Sequence, residues 1–276
     1  MSVKRRRLAG LAVRYLVLVP VAIAFAFPFY WMVVTSLSGR STIYDFPPLL
    51  LPQWHVGNFV EAWRATDWTR FYINTVITAG FGTLLVVATS ALAGYAFASM
   101  RFFGKAALFG AVLAIYMIPA EVTLVPNFII IKDLGWLDSY QAQVVPFGSS
   151  VFGIFLLRQF FLTLPKDLWE AAQLDGTSHL RYLWSVALPL ARPTLATVAL
   201  FHFVGGWNAF LWPLIVTSSD RYRPLQVALS NFNSVDSTQP ILLAAGALMT
   251  TLPILVIFLV AQRQLVGGIA ATGIRG

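Results

Sequence analysis

Apolar residues fall into six long blocks along the chain, at approximately 14–36, 73–98, 106–127, 141–162, 194–216 and 240–262. Each is close to or beyond the ~20 apolar residues a helix needs to cross a bilayer, so the pattern predicts six transmembrane helices. The first block follows Lys4-Arg5-Arg6-Arg7, as a secretory leader would. It continues through FPFYWMVV to Ser36, too long for a leader core, and reads as a retained span. Pro119, Pro126 and Pro146 interrupt the third and fourth blocks. Breaks of this kind survive in lipid where neighbouring helices or a water-filled path satisfy the freed carbonyls. They fit a bundle that packs around a cavity, or kinks that only aid packing. Ser90, Gly94 and Ala98 form a stripe of small residues along the second block, and Gly246 and Thr250 offer a similar surface on the sixth. Such stripes let helices approach closely.

The polar interludes are unequal. Segment 37–72 holds FPPLLLPQW and then VGNFVEAWRATDWTRFY, a tryptophan-rich amphipathic piece suited to the membrane interface. The sharpest change is EAAQLDGTSHLRYLWSVALP, Glu170 to Pro189, a soluble-looking stretch between two apolar blocks. Pro165 suits a first helical position, where a missing N–H costs nothing, and Asp167 and Glu170 complement the helix dipole. The helix runs to Asp175, and Gly176 supplies a left-handed stop. Ser178 caps a second helix with Leu180, Leu183, Trp184 and Ala187 on one face, ended by Pro189 and Pro193. Ala171 and Ala172 leave room for a close partner contact. A loop built only to join two spans needs no such geometry. No polar linker, repeat or low-complexity segment divides the chain, which reads as one transmembrane domain, 1–276, with a five-helix core at 70–262 and this loop at 163–190.

Charge fixes the expected orientation. With the N-terminus in the cytoplasm, the inner loops and ends carry thirteen cations and three acids, and the outer side six cations and eight acids. That asymmetry places both termini in the cytoplasm by the positive-inside rule. It also accounts for the net charge of +8 without nucleic acid, since no compact basic face with interleaved aromatics appears. Of 276 residues, 58% are hydrophobic and 11% charged, whereas a soluble domain carries roughly 25% charged.

Candidate chemistry is sparse. No GxxxxGK[ST], GxSxG or HExxH occurs, so the chain lacks its own P-loop and any catalytic constellation. His55, His179 and His202 are isolated and fit no metal spacing, and cysteine is absent. The reading is non-enzymatic, with no cofactor or metal. Glu121, Asn127, Gln143, Trp207 and Asn208 are the polar or aromatic groups placed to line a substrate pathway. Interhelical hydrogen bonding is the competing role for each. Residues 217–239 exceed the length two adjacent helices need and hold Asp220, Arg221, Tyr222, Arg223, Asn231, Asn233 and Asp236. They suit either a solvated connector or a functional loop.

Glu170-Ala171-Ala172, Gly176, Val186, Leu188 and Pro189 resemble the EAA loop of binding-protein-dependent ABC importer permeases, with Val186 where isoleucine is usual. FGIFLLRQFF at 152–161, WNAFLWPL at 207–214 and FLVAQRQLVGGIAATGIRG at 258–276 extend the resemblance to the maltose-type carbohydrate-uptake group, from about residue 70 onward. The resemblance implies an all-α, type I importer bundle in the bacterial inner membrane. It implies a sister permease, an ATPase dimer that binds ATP and Mg, and an external solute-binding protein. Glu170, Ala171, Ala172, Asp175, Gly176, Leu188 and Pro189 would form the helix that docks on the ATPase. The tail 262–276 would reach the ATPase dimer interface, and Arg221, Tyr222 and Arg223 would dock the binding protein. The expected cargo is a sugar or sugar derivative. Glycerol phosphate or a glycerophosphodiester is the alternative within the group, and a secondary transporter, short here of intramembrane charges for ion coupling, is the alternative outside it.

Overall fold

The computed structural model describes residues 3–272 except 41, 43, 44, 49, 235 and 236; Asp236, the last four residues and the side chains of the 262–276 tail lie outside it. In chain order the helices are α1 (Val3–Ser36), α2 (Gly57–Arg64), α3 (Trp68–Ser99), α4 (Lys105–Ile115), α5 (Ala120–Asp133) and α6 (Tyr140–Val144). A 3₁₀ turn, Val145–Phe147, leads to α7 (Val151–Leu162), α8 (Lys166–Leu174) and α9 (His179–Tyr182). A π-helical turn, Leu183–Ala187, then joins α9 to α10 (Leu188–Leu190). After these come α11 (Arg192–Trp207), α12 (Leu211–Val216), α13 (Leu225–Ser230) and α14 (Pro240–Thr272). The only strand pairing among the described residues is a two-residue antiparallel ladder, β1 (Asn233–Ser234) with β2 (Ser237–Thr238).

Three helices are long and apolar enough to cross a membrane unbroken: Arg14–Ser36, Trp68–Ser99 and Pro240–Val260. The other expected spans are bent pairs. The block at 106–127 divides at Pro119 into α4 and α5, turned by 97°. Pro119 cannot continue α4, and it starts α5 with an extended backbone. Pro126 lies inside α5 without ending it. The block at 141–162 bends by 44° after the 3₁₀ turn that holds Pro146. The block at 194–216 is also not one helix. α11 stops at Trp207 where the Asn208 amide turns back onto the Val204 carbonyl (2.9 Å), and α12 resumes at Leu211.

The chain divides into two compact units, residues 1–67 with 229–252, and residues 68–228 with 253–276. In the first, Asn58 bonds the carbonyls of Ser36 (2.9 Å) and Ser38 (3.0 Å), satisfying groups left open where α1 ends. Arg40 pairs with Glu61 on α2. Only residues 57–64 of the amphipathic stretch form this short helix; its tail is the start of α3.

In the second unit α3 is the axis, packed against α7 and α11. Small residues set that packing. A Cβ on Gly94 would lie 3.0 Å from the Arg158 nitrogen and the Leu157 Cβ of α7, and one on Gly153 would meet the Ser90 hydroxyl at 2.4 Å. On the α11 side, a Cβ on Gly206 would lie 3.1 Å from the Ala79 Cα. Val86, Tyr95, Leu157, Phe161, Leu183 and Val198 fill the core between them.

Candidate functional site

The hairpin at 165–191 is built from local rules. Pro165 is the cap before α8, one position earlier than its sequence suggests, and Asp167 occupies the first turn. At the far end, Gly176 N–H bonds the Gln173 carbonyl (3.0 Å) and Thr177 N–H the Ala172 carbonyl (2.9 Å). These are the two bonds of a Schellman stop, and they require the positive φ of +70° that Gly176 adopts. The Ser178 hydroxyl then caps α9, accepting from Arg181 N–H (3.4 Å).

Glu170, Ala171, Asp175, Gly176 and Pro189 are exposed; Ala172 and Leu188 are half-buried and pack on the core. Leu174, beside Asp175, is 91% exposed. The second helix differs from its expected face. Leu183 and Ala187 are buried, but Leu180 and Trp184 point outward, at 62% and 69% exposure. Pro189 does not end this helix either: it lies within α10, and the chain turns at Ala191. A proline ring crowds the carbonyl four residues before it. The wider π turn ending at Ala187 takes up that crowding and re-aims the side chains that precede it.

An aromatic cluster ties the hairpin to the bundle. The Trp169 and His179 rings stack at 4.1 Å, and His179 Nδ1 lies 3.0 Å from the Tyr95 hydroxyl of α3. Tyr95 meets Phe161 of α7 edge-on at 5.8 Å, and Trp169 meets Tyr182 at 5.1 Å. In the sequence His179 reads as isolated, because its partners lie across the turn and on another helix.

A second construction sits at the opposite end of α3, where four consecutive carbonyls of the 217–225 loop are held by side chains. Asn74 Nδ2 donates to the Asp220 (3.1 Å) and Arg223 (2.8 Å) carbonyls. Arg70 donates twice to the Arg221 carbonyl, from Nε (3.0 Å) and Nη2 (2.8 Å). Gln143 Nε2 donates to the Tyr222 carbonyl (3.0 Å). The Tyr140 hydroxyl donates to Asn74 Oδ1 (2.7 Å), orienting its amide, and Thr75 Oγ1 accepts from Leu225 N–H (2.9 Å). Asp138 accepts from Ser218 and Ser219 N–H (both 3.0 Å) and from the Ser219 hydroxyl (2.7 Å). Burial alone would raise the Asp138 pKa, but these hydrogen bonds and nearby Arg223 outweigh it and hold the carboxyl below its ordinary value. The tyrosine and arginine rims are stacked as well, with Tyr140 edge-on to Tyr222 at 5.0 Å and Arg221 over the Tyr222 ring at 5.3 Å. The loop is an ordered ledge.

The pathway candidates do not gather in one place. Glu121 is exposed in the first turn of α5, and Asn127 is half-buried further along it. Trp207 is buried against Tyr72 and Phe203, and Asn208 caps α11. A cavity of about 360 Å³ is lined by Thr78, Gln143, Phe147, His202, Trp212 and Pro224 among others, and by none of these four, although Gly206 and Ala209, which flank Trp207 and Asn208, do line it. Gln143 thus touches both the cavity and the ledge.

The family pattern of the binding-protein-dependent transport system inner membrane component matches residues 87–266. The sn-glycerol-3-phosphate transport system permease protein UgpE of Yersinia pestis is 32% identical over 255 residues, covering 88% of this chain and 90% of that protein. The arabinooligosaccharides transport system permease protein AraQ of Bacillus subtilis is 32% identical over 207 residues, covering 75% and 74%. A chain in the crystal structure of a bacterial ABC transporter for the acidic polysaccharide alginate has the same fold, with a TM-score of 0.82 at 22% identity over 95% of this chain and 98% of that one. With the family pattern running from the middle of α3 into α14, the protein belongs to the inner membrane components of binding-protein-dependent transport systems.

Proposed function

We propose that this permease is one of two membrane subunits of an ATP-driven importer and passes a sugar or sugar derivative inward from an external solute-binding protein. One observation carries the reading: two polar constructions are fixed to the two ends of one helix. Asn74 under the ledge and Tyr95 under the hairpin are twenty-one residues apart on α3, about 31 Å at ~1.5 Å per residue. A bilayer's hydrocarbon core is about that thick. With the hairpin in the cytoplasm the positive-inside rule is met, both termini are cytoplasmic, and the six spans are the three long helices, the bent pairs α4–α5 and α6–α7, and α11 continued by α12 after the 82° turn from the hairpin.

In this arrangement α8 is the coupling helix. Glu170, Ala171, Asp175 and Pro189 face the ATPase dimer, Gly176 fixes the helix end, and Ala172 and Leu188 seat the hairpin on the bundle. ATP and Mg belong to the ATPase, since this chain has no P-loop. Arg221, Tyr222 and Arg223 on the ledge dock the loaded binding protein. Glu121, Asn127, Trp207 and Asn208 stand as pathway groups, joined by Gln143 and His202 at the cavity.

The arabino-oligosaccharide permease among the relatives supports a sugar. The glycerol-3-phosphate permease supports the phosphorylated alternative. A secondary transporter finds no support in a binding-protein-dependent family. The deciding experiment is ATPase stimulation in the complex reconstituted with its binding protein, with arabino-oligosaccharides set against glycerol 3-phosphate. Stimulation by glycerol 3-phosphate alone would overturn the sugar reading. Orientation is tested in the same cysteine-free chain: Ser218→Cys should react with an impermeant thiol reagent outside intact cells and Thr177→Cys should not. Reversed labelling overturns the coupling assignment.

A further inference from the structure

A second cavity, of about 740 Å³, opens beneath α8. It lies where α3 ends at Ser99, α4 begins at Lys105 and α7 ends at Leu162, so its mouth is level with the ends of three bundle helices. In the orientation proposed above, that level is where lipid head groups sit. Arg101, Lys105 and Lys166 line it, and Glu170 is the one acid that does. None of the three cations forms a salt bridge among the described residues. Lys105 is held in place, since its Nζ donates to the Ala98 (3.2 Å) and Met100 (2.9 Å) carbonyls and keeps its third N–H for a ligand.

The adjoining turn gives an independent sign of the partner. Between Arg101 and Lys105 the chain presents Phe102 at 41% exposure and Phe103 fully exposed, projected by Gly104 at φ +73°. A solvated connector gains nothing from a protruding phenylalanine. A phenylalanine flanked by cations at the end of a span suits the head-group and acyl boundary.

We propose that this basic pocket binds the phosphate head group of an anionic phospholipid, with Phe102 and Phe103 dipping into the acyl boundary beside it. Basic pockets between helices on the cytoplasmic side are a known setting for such head groups. Arg101 and Lys166 supply charge-assisted hydrogen bonds to the phosphate, and Lys105 supplies a third contact. The inference rests on the orientation proposed above. Because the pocket is walled by α8 itself, the lipid forms part of the seat of the coupling helix.

The test uses the assembled importer in nanodiscs of phosphatidylcholine with or without cardiolipin, and native mass spectrometry reads retained cardiolipin independently of any transport. Arg101→Gln, Lys105→Gln and Lys166→Gln together should reduce retention several-fold. Arg101→Lys with Lys166→Arg should restore most of it, and the control pair Arg181→Gln with Arg192→Gln should leave it unchanged. Equal loss in the control would mean that only diffuse surface charge is at work, and the pocket assignment would fall. Displacement of cardiolipin by free glycerol phosphate would show a soluble-anion site instead. A photoreactive phenylalanine at Phe103 should crosslink to lipid, and crosslinking to the ATPase would overturn the proposal. If retention follows the pocket variants while no candidate solute stimulates ATP hydrolysis, the substrate reading fails and this one stands.

Discussion

Asn74→Asp is the most informative single change at the ledge. The side chain is fully buried, and the exchange keeps its shape and its acceptor for the Tyr140 hydroxyl while removing both N–H donors. Two carbonyls, those of Asp220 and Arg223, lose their partners and face a carboxylate instead. A buried acceptor left unsatisfied costs about 1–3 kcal/mol, so two put about 2–6 kcal/mol against the closed ledge, and the part-buried setting of both bonds favours the lower end. At the lower figure the opening equilibrium rises about thirty-fold, since each ~1.4 kcal/mol is a factor of ten. The damage should be local, because the α3 contacts to α7 lie further along the helix. Hydrogen-exchange mass spectrometry should show faster exchange in peptides covering 217–226 and unchanged exchange in 151–162. Binding-protein association with the reconstituted complex should slow, while the ATPase remains attached. Unchanged exchange in 217–226 would refute the claim that these bonds order the ledge.

Three other changes test the remaining devices. Gly176→Val places a β-branched residue at φ +70°, at a cost of about 1–3 kcal/mol to the α8 stop. Transport should fail with insertion intact, and Gly176→Asn, which tolerates that φ, should recover much of it; equal failure of both variants would point to crowding by the added side chain, although no atom of this chain lies within 4 Å of a Cβ there. Gly94→Val meets backbone atoms of α7 at 3.0–3.2 Å, so it should lower thermal stability by about 2–3 kcal/mol, and a wild-type melting temperature would contradict the close packing of α3 on α7. The folded-state pKa of Asp138 lies below its unfolded value, so its contribution is present in full above the ordinary carboxylate range and is lost as pH falls through the lowered value. Exchange in 217–226 should therefore loosen at acid pH, below about 4, and Asp138→Asn should remove that step; a step that persists in the variant would assign it to another group.

The short-range devices are plain in the chain. Gly176 at its left-handed turn, Ser178 as a cap and the stripe of Ser90 and Gly94 all follow from local spacing and sterics, and they stand where their residue types require. The angles between bent pairs are less readable: Pro119 marks a break, but 97° is set by what the two halves pack against. Leu180 and Trp184 turn outward because a π turn before Pro189 shifts the helical phase, which a regular 3.6-residue projection does not anticipate. The ledge is least visible of all. Asn74 and Asp220 are separated by 146 residues, and each alone looks like an ordinary polar residue near a helix end. The pathway candidates stand out in the sequence as polar or aromatic groups within or beside apolar blocks. That criterion finds Gln143, but it cannot tell a cavity wall from a helix cap such as Asn208.

The ledge and the hairpin share α3, and leverage decides what that sharing implies. Over a lever arm of about 31 Å, a tilt of roughly 5° at one end displaces the other by about 2.7 Å. Hydrogen bonds to a carbonyl tolerate only about half an ångström of spread, from about 2.7 to 3.2 Å. The bonds from Asn74 and Arg70 to the 220–223 carbonyls therefore cannot hold against a stationary ledge while α3 tilts beneath them. Either they break together or the ledge rides with the helix. With three carbonyls and the Leu225 N–H held by α3 at once, riding is the cheaper path, so the surface proposed to meet the binding protein moves as cargo on the same rod that the hairpin grips.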